Sequence, residues 1–362
     1  MVSQSKVPTQ PHRRFFFTPS PDWSSPATQH ATADAIQFSR ELGFKPVVAK
    51  RKIHEYYAKL AGAWIRSDVF LSMYPTFGAP LHEANRLRKL DSHCLRTLRS
   101  IFRNVKSILY IDDLPIEQNL AVKNPVDNEA YLIEERLLSC FDVLLVFNKE
   151  VQDVIQNRYG IDSEKFVAFE IQDYAVNLEP PTDRSDKQDA WTVVYTGNCD
   201  TRHVGWWFKD LPRSPKLRYE FFGPNRNWTT DRPDIIYNGI VDTVEHLAEY
   251  ISKRAHFGFF ASSPEYKHYY DYTSTSKFGA YITAGLPVLV PSEYNYVASL
   301  VVKYGVGFVL DSYNDVAKVI EELSWSDYMA VRERCLVLGE KLRSGHFFKK
   351  SVNEALLKLG MN

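Results

Sequence analysis

The chain has 362 residues, of which 44% are apolar and 24% charged. This composition is typical of a globular protein, and the length predicts two domains rather than one. Its 44 basic and 44 acidic side chains cancel. The zero formal net charge argues against a general nucleic-acid binder, which would carry a basic excess.

The cysteines are few and widely spaced. None belongs to a CxxC pair, so the sequence predicts no zinc motif. The wide spacing also argues against a disulfide framework. No run of about 18 apolar residues predicts a membrane-spanning helix. We therefore expect a cytoplasmic protein that begins with a polar, disordered tail over residues 1–13. The four cysteines are Cys94, Cys140, Cys199 and Cys335.

Strand and helix patterns alternate along the first half of the chain. The strand candidates are continuous apolar runs, which indicates burial on both faces and hence a parallel sheet covered by helices. We predict a Rossmann-like N-terminal domain over residues 14–178, followed by a linker over 179–190 that is rich in Pro, Asp and Lys. The predicted strands are 14–19, 45–49, 68–75, 107–112, 142–148 and 165–171.

A second alternating series follows the linker. It predicts a C-terminal Rossmann-like domain over residues 191–343, and a last helix over 344–362 that crosses back to the N-terminal domain. The predicted fold class is therefore α/β, with two doubly wound parallel-sheet domains that face a cleft. The predicted strands are 191–197, 217–223, 234–239, 256–261, 287–290 and 307–311.

The stretch "YTSTSK" (272–277) follows a strand and begins a predicted helix. Helix N-termini leave backbone N–H groups unpaired and carry partial positive charge, and Lys277 adds a cation. A diphosphate needs this combination of donors. The alternative is an ordinary N-cap with a solvated lysine. The hydroxyl side chains are Thr273, Ser274, Thr275 and Ser276.

Two other strand ends in the second half point to the same ligand. Gly197 ends a strand in "YTGNCDTRH", where it would let a ligand approach the backbone, and Arg202 would face the phosphates across the cleft. Arg202 as an ordinary surface residue is the alternative. Gly239, Ile240 and Val241 precede a helix, and their backbone groups would grip a flat base.

The motifs resemble GT-B glycosyltransferases. The run "SKFGAYITAGLPVLVPSEYNYVASLVVKYGVGFVLDS" (276–312) is similar to their nucleotide-binding half. The closer resemblance is to bacterial transferases of the beta-1,6-galactofuranosyltransferase type, together with the glucosyltransferase that adds the second sugar to serine-rich-repeat adhesins. Tyr272 and Lys277 match that group's motif before the Gly-Leu-Pro-Val turn, whereas the four residues between them do not. "LYIDDLPIEQ" (109–118) resembles its strand ending in His-Asp, with Asp112 in place of the His and Asp113 matching the Asp.

The resemblance implies a transferase that moves a hexose from a UDP-sugar to a glycan, glycoprotein or lipid-linked acceptor in bacterial cell-surface synthesis. It implies no metal and no other cofactor, with Lys277 and Arg202 neutralising the leaving diphosphate. The pair of glutamates carried by many retaining GT-B enzymes would fall near Tyr272 and Ala280, and neither is acidic. The expected nucleotide-binding residues are Gly197, Arg202, Gly239, Ile240, Val241, Tyr272, Thr273, Ser274, Ser276 and Lys277.

The first domain should supply a general base if the reaction inverts the anomeric centre. Asp113 is the first candidate, and a helix-cap role is its alternative. Asp112, Asp22 and His82 are weaker candidates for the base. The acceptor-side residues expected are Asp22, Trp23, Tyr74 and Asp112, with Trp23 either a sugar platform or a packed loop anchor.

Two other functional classes remain open from the sequence. One is a catalytically silent GT-B subunit that binds a partner transferase or an acceptor, and the other is a sugar-phosphate isomerase-like enzyme of similar fold. We also expect a homo-oligomer. A basic helix over about 83–103 allows peripheral contact with anionic lipid, although a solvated face or an oligomer interface explains it better. Its cations are Arg86, Arg88, Lys89, Arg96, Arg99 and Arg103.

Overall fold

In the computed structural model the chain forms two parallel β-sheets of six strands each, both covered by helices. The structure describes residues 12–20, 26–49, 52–75, 81–181 and 190–361. The predicted fold class, two Rossmann-like α/β domains, is confirmed. Most of the predicted tail and residues 182–189 of the predicted linker lie outside the described residues. Within the tail, the Arg13 amide donates to the Asp68 carboxylate at 2.7 Å.

The N-terminal sheet has the strand order β2-β1-β3-β4-β5-β6, in which every pair is parallel. Its strands are β1 (Arg14–Pro19), β2 (Lys45–Ala49), β3 (Val69–Tyr74), β4 (Lys106–Ile111), β5 (Val143–Val146) and β6 (Phe166–Ala168). Its helices are α1 (Pro26–Glu41), α2 (Ile53–Arg66), α3 (Leu81–Ile101), α4 (Pro115–Ala121), α5 (Asn128–Ser139) and α6 (Lys149–Tyr159).

The C-terminal sheet has the order β12-β11-β10-β7-β8-β9, again with every pair parallel. Its strands are β7 (Trp191–Thr196), β8 (Leu217–Phe222), β9 (Ile235–Gly239), β10 (Phe257–Phe259), β11 (Val288–Pro291) and β12 (Gly307–Leu310). Its helices are α7 (Val244–Arg254), α8 (Ser276–Thr283), α9 (Asn295–Tyr304), α10 (Asp315–Glu322) and α11 (Trp325–Arg343), followed by α12 (His346–Lys358).

The strand orders decide where ligands can bind. In each sheet the order of the strands reverses once, between β1 and β3 in the first and between β7 and β10 in the second. Open parallel sheets bind ligands outside the carboxyl ends of the strands at such a reversal, because the helices leave on opposite faces and open a crevice there. The strand-end motifs of the C-terminal domain therefore surround a natural binding position.

The last helix packs on the N-terminal sheet. The Asp173 carboxylate accepts hydrogen bonds from the amides of Phe347 (3.3 Å) and Phe348 (2.6 Å), so a residue after β6 satisfies the open N-terminus of α12. The Phe348 ring then lies 5.2 Å from the ring of Tyr110 in β4 and 6.2 Å from that of Phe38 in α1. Buried aromatic contacts thus join the end of the chain to the first domain.

One predicted strand, 165–171, is shorter than expected. It ends at Ala168, because Glu170 takes a left-handed backbone conformation with φ of 71° and turns the chain out of the sheet. Among the described residues, no helix is long and apolar enough to cross a membrane.

Candidate active site

A cavity of about 190 Å³ lies where the two domains meet. The N-terminal domain contributes the loop after β4 and the start of α1, and the C-terminal domain contributes the segment that leads into α8. The wall is mostly polar and carries two carboxyl groups and three small hydroxyl side chains. Its lining residues are Ala31, Asp112, Asp113, Gln118, Gln172, Tyr269, Tyr270, Ser274, Thr275 and Ser276.

The two carboxyl groups of the cavity are the adjacent residues Asp112 and Asp113 after β4. Gln172 donates to Asp112 at 2.8 Å, and the Tyr269 hydroxyl donates to Asp113 at 2.5 Å. Burial and the neighbouring charge of Asp113 raise the pKa of Asp112 well above its ordinary value. Burial also raises the pKa of Asp113, although hydrogen bonds from Tyr269 and Gln118 oppose that rise. Such a pair shares its protons and is suited to acid–base chemistry.

The hydroxyl side chains before α8 have separate roles. Thr275 is the N-cap of α8 and accepts from the Lys277 amide at 3.2 Å, and Thr273 is buried and donates to the Tyr269 carbonyl at 2.8 Å. Ser274 is only 9% exposed, yet its hydroxyl has no hydrogen-bond partner among the described residues. A buried hydroxyl without a partner is costly, so Ser274 at the cavity wall is suited to bind a polar ligand atom.

The side chain of Lys277 lies between the ends of β7 and β10, where the strand order of the C-terminal sheet reverses. Its ammonium donates to the carbonyl of Ala261, beyond β10, at 3.0 Å and lies 5.3 Å from the ring centre of Tyr195 in β7. Burial lowers the pKa of Lys277 to about 8. The sequence alternative of a solvated lysine is therefore wrong, whereas the N-cap in that alternative is present at Thr275.

Two glycines bring the backbone of β7 and β8 close together beneath this lysine. A Cβ atom on Gly197 would lie 2.6 Å from Cε of Lys277, and a Cβ on Gly223 would lie 1.7 Å from the Gly197 carbonyl oxygen. Both glycines have φ near 141–142°, a conformation that other residues rarely adopt. The space over Gly197 that the sequence assigned to a ligand is thus taken by the Lys277 side chain, and Gly223 was not predicted.

Arg202 differs from the expectation of a second cation aimed at the cleft. Its side chain is 74% exposed, and its guanidinium lies 3.2 Å from the Asp200 carboxylate. Burial raises the pKa of Asp200, but hydrogen bonds from His203 and Arg202 outweigh burial and lower it to about 2. Arg202 is therefore held by a neighbouring carboxylate at the surface.

The three residues predicted to grip a base lie at the end of β9, two strands from β7 in the same sheet. Gly239 ends β9, the edge strand, and its carbonyl accepts from the Gly223 amide at 2.8 Å. Ile240 is 70% exposed, whereas Val241 packs partly against the core. Gly239 is thus joined through Gly223 to Gly197, the residue that Lys277 contacts.

Tyr74 and Tyr272 lie in positions that the sequence did not suggest. Tyr74, predicted on the acceptor side, is buried in the N-terminal core and donates to Glu134 at 2.5 Å, because the last side chain of β3 turns under α5. Tyr272, predicted to bind nucleotide, donates instead to Glu117 across the domain boundary at 3.0 Å. The remaining acceptor-side candidates Asp22 and Trp23, and the side chain of His82, are outside the described residues.

Several cations of the basic helix α3 are buried or have partners within the N-terminal domain. Arg88 is 3% exposed, Lys89 forms an ion pair with Glu129, and Arg99 binds Asp142. Three of the six cations named for lipid contact are therefore buried or paired within the N-terminal domain.

Sequence reasoning missed half of the cavity. Tyr269 and Tyr270 belong to a tyrosine-rich stretch immediately before "YTSTSK", and this composition next to a helix start was the available signal. Gln118 in α4 and Gln172 in the loop after β6 carry no such signal, because single glutamines are common in helices and loops. Ala31 is also part of the wall and is an ordinary helix residue in α1.

Comparison with known proteins finds similar sequences for part of the chain. Residues 193–355 match a family model described as "Glucosyltransferase 3-like, C-terminal domain". A 99-residue segment is 34% identical to Glucosyltransferase 3 of Streptococcus gordonii, and the matched segment is 27% of this chain and 28% of that relative.

Solved structures are similar over nearly the whole chain. A glycosyltransferase from Rickettsia africae aligns with 97% of this chain and 100% of its own, with a TM-score of 0.62 and 11% identity. An alpha-glucosyltransferase in complex with UDP-glucose and DNA containing an abasic site aligns over 94% and 98%, with a TM-score of 0.60 and 11% identity. At such identities the likeness concerns the fold. Residues 193–355 thus match the Glucosyltransferase 3-like C-terminal domain, and the chain as a whole has the two-domain fold of GT-B glycosyltransferases.

Proposed function

We propose that the protein is a glycosyltransferase that moves a hexose from a UDP-sugar to a glycan, glycoprotein or lipid-linked acceptor in bacterial cell-surface synthesis, without a metal ion. The observation that carries the proposal is the position of Lys277. Its ammonium lies between the carboxyl ends of β7 and β10, at the reversal point of a sheet that matches the Glucosyltransferase 3-like model.

The donor half of the site supplies positive charge from two sources. The first turn of α8 presents backbone N–H groups and the positive end of the helix dipole. Lys277 adds an ammonium that keeps its charge below about pH 8. Both stabilise the diphosphate that leaves when the glycosidic bond of the donor breaks, which is the role a metal ion has in other transferases. Relatives of similar fold include an alpha-glucosyltransferase solved in complex with UDP.

The acceptor half of the site supplies a base. Asp113 lies in the cavity wall opposite the segment that leads into α8. Since burial raises its pKa, the carboxylate is a stronger base than an exposed aspartate and is better matched to proton abstraction from an acceptor hydroxyl near neutral pH. The unpartnered hydroxyl of Ser274 and the carboxyl of Asp112 offer further hydrogen bonds to a sugar.

Calorimetric titration with UDP tests the donor half of the proposal. We expect binding of UDP by the purified protein in the presence of EDTA, because the cation that holds the diphosphate belongs to the chain. Hydrolysis of a panel of UDP-hexoses and UDP-N-acetylhexosamines then identifies the donor. Failure to bind UDP, with or without divalent metal, would contradict the proposal and favour a catalytically silent subunit.

A further inference from the structure

One hydrogen bond inside the cleft joins the two domains at the candidate base. The hydroxyl of Tyr269, in the C-terminal domain, donates to Oδ1 of Asp113, in the N-terminal domain, at 2.5 Å. The same hydroxyl accepts from the backbone amide of Leu114 at 3.2 Å. Tyr269 is only 3% exposed, and its ring packs between those of Tyr270 and Tyr272, with ring centres 5.7 and 5.8 Å away. Two hydrogen bonds thus hold the Tyr269 hydroxyl, and two neighbouring tyrosine rings pack against its ring.

We propose that Tyr269 is a positioning residue for Asp113, so that the base is held in its working orientation only when the C-terminal domain closes on the N-terminal domain. This inference rests on the proposed glycosyl transfer, and it adds a residue and a coupling between the domains to it. Tyr269 acts through Asp113 and is assigned no contact with the reacting atoms.

The chain connects Tyr269 directly to the donor half of the site. Tyr269 begins the short 3₁₀ helix Tyr269–Asp271, six residues before the N-cap of α8 and eight before Lys277. Thr273 donates to the Tyr269 carbonyl at 2.8 Å, which ties this turn to the start of α8. A change at the diphosphate position would therefore be transmitted to the phenol through a short, hydrogen-bonded segment.

Other contacts show that this segment bridges the cleft. The Tyr272 hydroxyl donates to Glu117 at 3.0 Å, and the Tyr272 carbonyl accepts from the Asn148 side chain at 2.7 Å. Glu117 is in turn paired with Arg158 of α6. Two hydrogen bonds thus hold Tyr272 to the N-terminal domain, and Tyr269 contacts the Asp113 carboxylate.

The groups around Asp113 determine in which direction its pKa changes when the Tyr269 phenol is lost. Besides Tyr269, the titratable groups around it are Tyr110 of β4, Asp112 directly after β4, and Tyr266 and Tyr270 in the stretch between β10 and α8. The neutral side chain of Gln118 is contributed by α4. A hydrogen bond donated to the charged form of a carboxyl lowers its pKa, so loss of the Tyr269 phenol raises the pKa of Asp113.

The test is the pH dependence of kcat/KM for Tyr269→Phe, measured with the UDP-sugar that the wild-type protein turns over. We expect kcat to fall by about 10- to 100-fold, less than the loss of a general base itself, with little change in KM for the donor. The acidic limb of the profile should move to higher pH, because a base with a raised pKa is protonated sooner as the pH falls. The apparent pKa read from that limb belongs to the coupled Asp112–Asp113 pair and not to either residue alone.

A matched control is available in the same domain. Tyr296 is also a buried tyrosine whose hydroxyl donates across the domain boundary, to the carbonyl of Glu170 at 2.6 Å. Tyr296→Phe removes an interdomain hydrogen bond without touching Asp113. It should leave the acidic limb where it is in the wild type, and an equal shift in Tyr296→Phe would overturn the positioning role.

Two further variants keep the proposal testable if Tyr269→Phe folds poorly. Incorporation of 3-fluorotyrosine at position 269 retains the hydroxyl and makes it a stronger donor, so the acidic limb should move to lower pH. In an Asp113→Asn background, Tyr269→Phe should cause no further loss of kcat, because the group through which it acts is gone. An unmoved limb in both position-269 variants, or a full additional loss in the Asn background, contradicts the inference alone. Wild-type protein that binds no UDP and turns over no UDP-sugar overturns the proposed function and this inference together.

Discussion

Gly197 and Lys277 are in direct contact at the reversal point of the C-terminal sheet. A Cβ atom at position 197 would lie 2.6 Å from Cε and 3.4 Å from Nζ of the lysine. The absence of a side chain at the end of β7 therefore leaves the space that the lysine occupies. The direction of the Lys277 side chain depends on this one glycine.

Gly197→Ala should displace Lys277 and weaken binding of UDP while the fold persists. The clash is with the end of a flexible side chain, which can swing away, and the φ of 141° adds a backbone cost of about 1–3 kcal/mol. Calorimetry with UDP measures the affinity. Gly43→Ala is the control, because Gly43 also has positive φ, of 79°, and has nothing within 4 Å of its Cβ position. If both variants bind UDP equally well, the contact has no role in the site.

Lys277→Ala should lower turnover far more than it lowers stability. Loss of one preorganised charge contact at a developing anion costs about 10²–10³ in kcat. The matched control is Lys267→Ala, since Lys267 lies on the same segment and its ammonium is exposed beside Glu293 at 3.4 Å. Steady-state rates of both variants with the donor found by the UDP-sugar panel make the comparison. Full turnover by Lys277→Ala would rule out its role at the diphosphate.

The affinity for UDP should fall as the pH rises through about 8. Burial lowers the pKa of Lys277 to about 8, so the ammonium is present below that pH and is lost above it. Titrations with UDP from about pH 6.5 to about 9.5 at constant ionic strength should show this loss in the wild type. Lys277→Arg keeps its charge throughout and should flatten the profile. An equally steep loss in Lys277→Arg would assign the pH dependence to another group.

The sequence predicted the fold well because parallel strands buried on both faces are continuous apolar runs, as in "VFLSMY" (69–74). It also placed Lys277 at a strand end, since the helix start and the following turn are local signals. The pairing of Asp113 with Tyr269 is different, because the two residues are 156 positions apart and meet through the packing of two domains. Local patterns carry no information on such a contact.

Tyr74 shows a second limit of local reasoning. Tyr74 is predicted on the acceptor side, but a strand pattern does not reveal which residues at a strand end a neighbouring helix covers. In the structure Glu134 of α5 covers Tyr74 and accepts from it at 2.5 Å, and it also accepts from Tyr159 at 2.6 Å. Strand position alone could not distinguish the core from the cleft.

Tyr74→Phe should therefore reduce stability rather than turnover. Burial raises the pKa of Glu134, and the variant removes one of its two phenol donors, which should cost about 1–3 kcal/mol in the free energy of unfolding. Urea unfolding at neutral pH measures the loss, and kcat/KM of the folded variant should match the wild type. A selective increase in KM for the acceptor would instead restore Tyr74 to the acceptor side.

The titration of Asp34 should contribute to the pH dependence of the free energy of unfolding. This carboxyl lies under the cleft, accepts from the Ala175 amide at 3.0 Å and is 3.4 Å from Nε2 of His30. Burial raises the pKa of Asp34 to about 8 and lowers that of His30 to about 4, so the pair is mostly neutral at pH 7. Since the folded state holds the proton more tightly than the unfolded chain, the stabilisation is complete below about pH 4 and is lost as the pH rises through about 8.

Asp34→Asn removes this titration and keeps an oxygen for the Ala175 amide. We expect little difference from the wild type at about pH 4 and a clear advantage for the variant at about pH 8, growing by about 1 kcal/mol per pH unit between them, because over this range the unfolded wild-type chain is ionised at position 34 while the folded state must keep the proton. Urea unfolding at the two pH values measures the difference. The exposed Asp210→Asn is the control and should show the same offset at both. If the advantage of Asp34→Asn does not grow with pH, the carboxyl is not held protonated under the cleft.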